Sequence, residues 1–282
     1  MTVSDHTHVA SSDTMASHKK HFFTGSIDDE IAHVQMEIRS KPAAFDLRVY
    51  FFQLLCLTGQ WQRAVTQLQV CAQLDAKAIP MAQTYREALR CELIRADVFA
   101  GKKAPQVIGQ PPQWLGLLIE AQQKLGAGAV AEAAALRQQA LQDAPETEGT
   151  IDGAPFAWIS DADSRLGPVV EAIVNGQYYW IPFSQFHAIR IEAPTDLRDL
   201  VWIPAQFTFV NQGQTVALIP ARYAGSETQD DASRLSRKTD WIALDEQTYT
   251  GIGQRMLATD CAEYALLDVR DIQISSSSHH TT

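Results

Sequence analysis

The amino-acid sequence predicts an α+β fold in two parts, with tetratricopeptide-like helical hairpins over 22–145 followed by a compact, acidic β-rich domain over 150–274. Three observations predict it. Apolar residues recur at helical spacing through the first half. Two of its glycines stand 34 residues apart. The second half breaks into short runs of Trp, Tyr, Val and Ile set between Gly, Pro, Asn and Asp. At 282 residues the chain is long enough for two domains of roughly 150 residues each. With 46% hydrophobic and 20% charged residues it can bury a core, which excludes wholesale disorder.

The first twenty residues, MTVSDHTHVASSDTMASHKK, carry acids early, bases late and no apolar core, the reverse of a secretory signal, so a cytoplasmic protein is expected. Residues 1–21 read as a disordered tail. His6, His8, His18 and His21 crowd that tail, but their spacing matches no closed four-ligand metal site. The longest strongly apolar run, 49–57, is far short of the roughly 20 residues a membrane span needs, so no membrane segment is expected.

The first helical stripe is Leu47, Tyr50, Phe51, Leu54 and Leu55, ended by Thr58 and closed by Gly59. The next is Trp61, Ala64, Val65, Leu68, Cys71 and Ala72, at i, i+3, i+4, i+7, i+10 and i+11. Gly25 and Gly59 are 34 residues apart, the period of a tetratricopeptide unit. The offsets of Gly59, Trp61, Ala64 and Cys71 return 69 residues later as Gly128, Val130, Ala133 and Ala140. The small residues suit the close approach of paired helices. Arg137 breaks the match, because it stands where Leu68 predicts an apolar side chain. Between the copies, helices are expected over 81–99 and 114–125, separated by the loop GKKAPQVIGQPP. About three degenerate hairpins result, an arrangement that leaves a concave face free for a protein partner. Cys56, Cys71, Cys91 and Cys261 form no CxxC pair and read as buried free thiols.

The stretch DAPETEGTIDG reads as a linker. Beyond it QYYWIPF, AIRIEA, LVWIPAQFTFV and TVALIPARY read as short strands. Pro182, Pro204 and Pro220 fall inside such runs and are expected at edges or bulges. A short helix is expected over 168–174, with Pro168 in its first turn and Asn175 and Gly176 at its end. Residues 275–282 form a second tail, with His279 and His280 near its end.

Charge divides the chain unevenly. Residues 1–145 carry 14 basic and 14 acidic side chains, whereas 146–282 carry 9 and 19, so the whole net charge of −10 lies in the second half. Phosphate neutralisation drives nucleic-acid binding, so nucleic acid is excluded as a partner. The second half has eight arginines and one lysine, Lys238, which favours fixed bidentate ion pairs over solvated charges.

The runs FAWISDADSRLGPVVEAIVNGQYYWIPF, PTDLRDLVWIPA, ALIPARYAGS, TDWIALD and GIGQRML, with LLCLTGQWQRAVTQL in the helical half, resemble the ImpE family, also called SciE or TagJ, over about residues 22–274. The resemblance implies a cytoplasmic, non-enzymatic accessory protein of the type VI secretion system. It further implies contact with the small subunit of the contractile sheath and a link to the ClpV disassembly ATPase.

The candidate binding residues are Trp158, Asp161, Asp163, Arg165, Tyr178, Tyr179, Trp180, Arg198, Asp199 and Trp202. The aromatics, with Trp241, read as core residues first and as a recognition patch second. Asp161, Asp163 and Arg165, with Arg198 and Asp199, offer acids and bases to an alternative, hydrolase-type enzyme. No Ser/His/Asp set is apparent, no P-loop pattern occurs and GIGQR is too short for a nucleotide fingerprint, so no catalytic residue, metal or cofactor is assigned. Adjacent Arg and Asp read first as structural ion pairs around buried tryptophans.

Overall fold

Ser26 opens the first helix, α1 (Ile27–Ser40): its side chain accepts from the Asp29 amide, and Asp28, Asp29 and Glu30 occupy the positive end of the helix. The structure, a computed structural model, describes residues 25–245 and 248–275. The histidine-bearing N-terminal tail and all but the first residue of the serine-rich C-terminal one lie outside the described residues. Helix α1 buries Ile27, Ile31, Val34 and Ile38 along one stripe. Then follow α2 (Phe45–Leu57), α3 (Trp61–Leu74), α4 (Ile79–Phe99), α5 (Gln113–Gly126) and α6 (Val130–Asp143). Each helix packs on its neighbour in sequence, most extensively α2 on α3 and α5 on α6. Those two pairs turn at Gly59 and Gly128, whose φ of 67° and 80° lie in the left-handed region that glycine tolerates. The 69-residue repeat thus marks two equivalent helical turns. Among the described residues no helix is long and apolar enough to cross a membrane.

The strands are β1 (Gly149–Ile151), β2 (Ala154–Phe156), β3 (Ile159–Asp161), β4 (Val169–Val174), β5 (Gln177–Pro182), β6 (Phe186–Ile191), β7 (Trp202–Phe209) and β8 (Gln214–Pro220). A short helix α7 (Asp231–Arg234) precedes β9 (Thr239–Ala243), β10 (Tyr249–Gly253), β11 (Met256–Thr259), β12 (Glu263–Ala265) and β13 (Asp271–Ile274). Eight strands form one sheet in the order β2-β1-β13-β6-β7-β8-β4-β5, while β12-β11-β3 and β10-β9 form smaller sheets. All the ladders are antiparallel.

Four expectations are corrected. The segment 168–174 is not a helix: Val169–Val174 is strand β4, buried at all six positions. A strand buried on both faces has no polar alternation, so VVEAIV lacks the period-2 signal. Asn175 and Gly176, with φ of 49° and 72°, form the two-residue turn of the β4–β5 hairpin, where Val174 pairs with Gln177. Part of the expected linker is strand, since Gly149–Ile151 pairs with β13. Pro204 sits inside β7, between β6 and β8. Its carbonyl accepts from Glu192, just past the end of β6, so its missing N–H falls where that ladder stops. Pro182 and Pro220 end their strands. Finally Cys261 is exposed, unlike Cys56, Cys71 and Cys91.

The large sheet lies between two cores. Val169 and Ile173 of β4 face the helices with Tyr178, Trp180, Trp202 and Leu218. Val170, Ala172 and Val174 face a second core with Ile181, Ile203 and Phe207. One β4 residue on the helical side is charged: Glu171, fully buried.

Candidate functional site

Glu171 lies where helix α4 crosses the sheet, and alternation along β4 aims its carboxylate at that helix. Arg95 of α4 meets it side-on: Nε donates to Oε1 at 2.8 Å and Nη2 to Oε2 at 3.2 Å. Arg95 also donates to the Arg222 carbonyl at 2.8 Å and to Glu92 at 3.3 Å. Arg255, just after β10, donates to both Glu171 and Asp161. The Tyr178 hydroxyl donates to Glu171 and accepts from Trp180 Nε1 at 2.7 Å. Trp202 Nε1 donates to Glu92 at 2.8 Å.

The network continues into β3. Asp161 accepts from the Asp163 amide at 2.8 Å and from the Tyr223 hydroxyl at 3.1 Å. Asp163 holds Arg165 Nη2 at 2.5 Å and accepts from the Gly251 amide at 3.0 Å. Arg165 covers the Phe99 ring of α4, its guanidinium carbon 4.5 Å from the centroid.

These environments set the protonation states. Burial opposes ionisation of Glu171, but Arg95 and Arg255 outweigh it and hold the carboxyl at about 2. Asp161 shares Arg255 and lies beside Asp163; burial prevails there and pushes its carboxyl up to about 6. Arg222 has a different surrounding, with its guanidinium on main-chain carbonyls of Leu57, Cys56 and Arg234. Burial lowers it to about 10, opposed by the more distant Glu227 and Glu92.

Of the ten residues singled out in the sequence, Asp161, Asp163, Arg165, Tyr178, Trp180 and Trp202 join this network. Arg198 and Asp199 stand apart from its hydrogen bonds. Arg198 pairs with Asp196 at 2.7 Å and lies over the Tyr85 ring, which in turn packs on Trp202. Asp199 closes a capping box with Asp196. Tyr178, Trp180 and Trp202 are core residues, whereas Trp158 and Trp241 are 37% and 39% exposed and Tyr179 is half-buried.

Sequence reasoning missed Glu171, Arg95, Glu92, Arg222 and Arg255. Glu171 carried a signal as a lone charge inside VVEAIV, and Arg222 and Arg255 lie within the quoted motifs ALIPARYAGS and GIGQRML. Arg95 carried none, because its burial depends on the sheet that packs against α4.

The helical part carries a separate groove of about 400 Å³ between α3 and α4. Val65, Leu68 and Ala72 of α3 and Ile79 and Ala82 of α4 supply its apolar surface, with Arg86 among its polar neighbours.

Comparison with known proteins adds to this geometry. A family model described as ImpE protein matches residues 153–273. A protein of Pseudomonas aeruginosa named type VI secretion system accessory component TagJ is 49% identical over 249 residues, covering 88% of this chain and 87% of that one. The crystal structure of protein VPA1032 from Vibrio parahaemolyticus superimposes with a TM-score of 0.82 at 23% identity, covering 94% of this chain and 98% of that one. It shares the fold.

Proposed function

The chain belongs to the ImpE family, and from that premise we propose that it is a type VI secretion accessory protein acting as a non-enzymatic adaptor. In this reading it captures a short amphipathic segment of the small sheath subunit and links it, in the cytoplasm, to the ClpV disassembly ATPase. The observation that carries the reading is the groove between α3 and α4. An amphipathic helix laid on Val65, Leu68, Ala72, Ile79 and Ala82 would bury its apolar face there and leave its polar face to solvent and Arg86.

The chemistry of the buried network favours this reading over a hydrolase. Asp161, Asp163 and Glu171 are closed off from solvent and each is hydrogen-bonded to a guanidinium. A general acid or base must reach the proton it moves.

Calorimetry of the full chain with a synthetic N-terminal segment of the cognate sheath small subunit, against a scrambled peptide, tests the proposal. Saturable binding of the true segment alone is expected, weakened at least about tenfold by Ala72→Glu in the groove. Absence of binding up to about 1 mM, weaker than about −4 kcal/mol, would overturn it.

A further inference from the structure

The groove between α3 and α4 has two unlike ends. Helical spacing lines it with one stripe from each helix, Val65 to Ala72 on one wall and Ile79 to Arg86 on the other. The two helices are joined by the short turn Ala76–Ala78, so Ala72 and Ile79 stand at the turn. Val65 and Arg86 stand at the far end, two helical turns or about 10 Å away. Leu68 and Ala82 are buried and form the floor, whereas Ile79 is 41% exposed. Gln69, Gln73 and Gln83 complete the lining, and Arg86 is its one charge among the described residues.

Arg86 differs from the other arginines of α4. Arg90 donates to Glu87 at 2.8 Å and to the Gly176 carbonyl at 2.6 Å, and Arg95 belongs to the buried network. Arg86 is exposed and, among the described residues, makes no hydrogen bond or ion pair. No carboxylate of the groove competes for it. Helix α3 contains no Asp or Glu, and Glu87, next to Arg86 in sequence, turns toward Arg90 and packs on Gly176 of the β4–β5 hairpin. An accessible cation without a counter-charge, at one end of an apolar slot, attracts negative charge and repels positive charge.

We propose, on the premise of the adaptor reading, that the amphipathic segment captured here carries an Asp or Glu two helical turns from its apolar anchors and that Arg86 selects it. Seven residues make nearly two turns, so such an acid lies on the same stripe as the anchors and meets Arg86 when they fill the apolar end. The floor supplies most of the affinity, because an exposed ion pair contributes little on its own. The arginine supplies discrimination: it disfavours amphipathic helices whose apolar stripe is flanked by Lys or Arg, the composition of membrane-surface helices.

The test titrates the full chain, by calorimetry, with three acetylated and amidated Ala/Gln helices that carry Leu at i, i+3 and i+4 and either Glu, Gln or Lys at both i−4 and i+7. At about 50 mM salt the Glu probe is expected to bind about threefold to tenfold more tightly than the Lys probe, with the Gln probe between them. The spread should shrink at about 500 mM salt. Arg86→Met should erase the order and Arg86→Glu reverse it, with unchanged circular dichroism, since the side chain is exposed and unpaired. The synthetic N-terminal segment of the sheath small subunit should bind Arg86→Glu at least about threefold more weakly than the natural chain. Equal affinity for the three probes, no probe binding up to about 1 mM, or an order unchanged in Arg86→Glu would overturn the proposal. Sheath-segment binding that ignores Arg86→Glu but is weakened by Ala72→Glu would also overturn it and leave the adaptor reading standing. A sheath segment that fails to bind the natural chain removes the adaptor reading and this proposal with it. A dimer in solution that Ala72→Glu disperses would give the groove to a second copy and overturn both.

Discussion

Arg222 Nη1 donates to the main-chain carbonyl of Leu57 at 2.8 Å, joining the segment just after strand β8 to the last residue of helix α2 across 165 positions of sequence. Its Nη2 donates to Cys56 at 2.9 Å. The last carbonyls of a helix have no intrahelical partner and carry the negative end of its dipole, so a buried cation placed there satisfies both. Arg222 thereby couples the helices to the sheet without a carboxylate in direct contact.

Arg222→Met should therefore destabilise the protein by about 3 kcal/mol, since it strips donors from several buried carbonyls at once. Urea unfolding followed by circular dichroism measures it. Loss of less than about 1 kcal/mol would show that the carbonyls find other donors.

Glu171→Gln should cost about 3–5 kcal/mol, because Arg95 and Arg255 would then face each other with one carboxylate fewer between them. The same unfolding experiment reports it. Glu171→Gln combined with Arg95→Met should recover part of the loss, since the pair is coupled.

The pH dependence has two opposing parts. The Glu171 carboxyl is held at about 2 against an ordinary 4.5, so its contribution is complete above 4.5 and is lost as pH falls toward 2. Asp161 runs the other way: raised from 3.8 to about 6, it favours the protonated folded state, and its contribution is lost as pH rises from 3.8 through 6. Unfolding free energy should peak where these two windows overlap, at about pH 4. Asp161→Asn should remove the decline on the alkaline side, and Glu171→Gln should lessen the decline on the acid side, where the lowered carboxyl of Asp230 also contributes. A curve in Asp161→Asn that still falls between pH 4 and 6 would refute the first assignment.

Gly167→Ala should cost about 1–2 kcal/mol, as Gly167 has a φ of 57° and a Cβ there would lie 2.5 Å from Leu141 Cδ2 on α6. Adding Leu141→Ala should relieve the steric part and leave the backbone part. A double-mutant cycle in thermal unfolding separates them.

Local signals carried the helices well. The stripes through Leu47–Leu55 and Trp61–Ala72 lie in α2 and α3, and Gly59 and Gly128 occupy the turns that their spacing marked. Local signals misled where burial is double-sided. VVEAIV has no alternation because both its faces are covered, and Asn175-Gly176, read there as a helix end, is a hairpin turn whose meaning depends on the strands flanking it.

The candidate site shows the same division. Sequence brought forward Asp161, Asp163 and Arg165 because they are adjacent, and the quoted motifs contain Arg222 and Arg255. Nothing local distinguishes Arg95 from the other arginines of α4, and Arg137 is marked only by its place in the repeat, where Leu68 predicts an apolar side chain.

By itself, the sequence determined the α+β division, the helical turns at Gly59 and Gly128, the acidic second half and the family resemblance, since each depends on residue type and short-range spacing. Only the tertiary structure decided which charges are buried and with whom. Glu171 meets Arg95 across 76 positions, and Arg137, itself buried, donates to Thr248 across 111. Burial and pairing are properties of packed surfaces, and a single chain position reveals them only once the elements that cover it are in place.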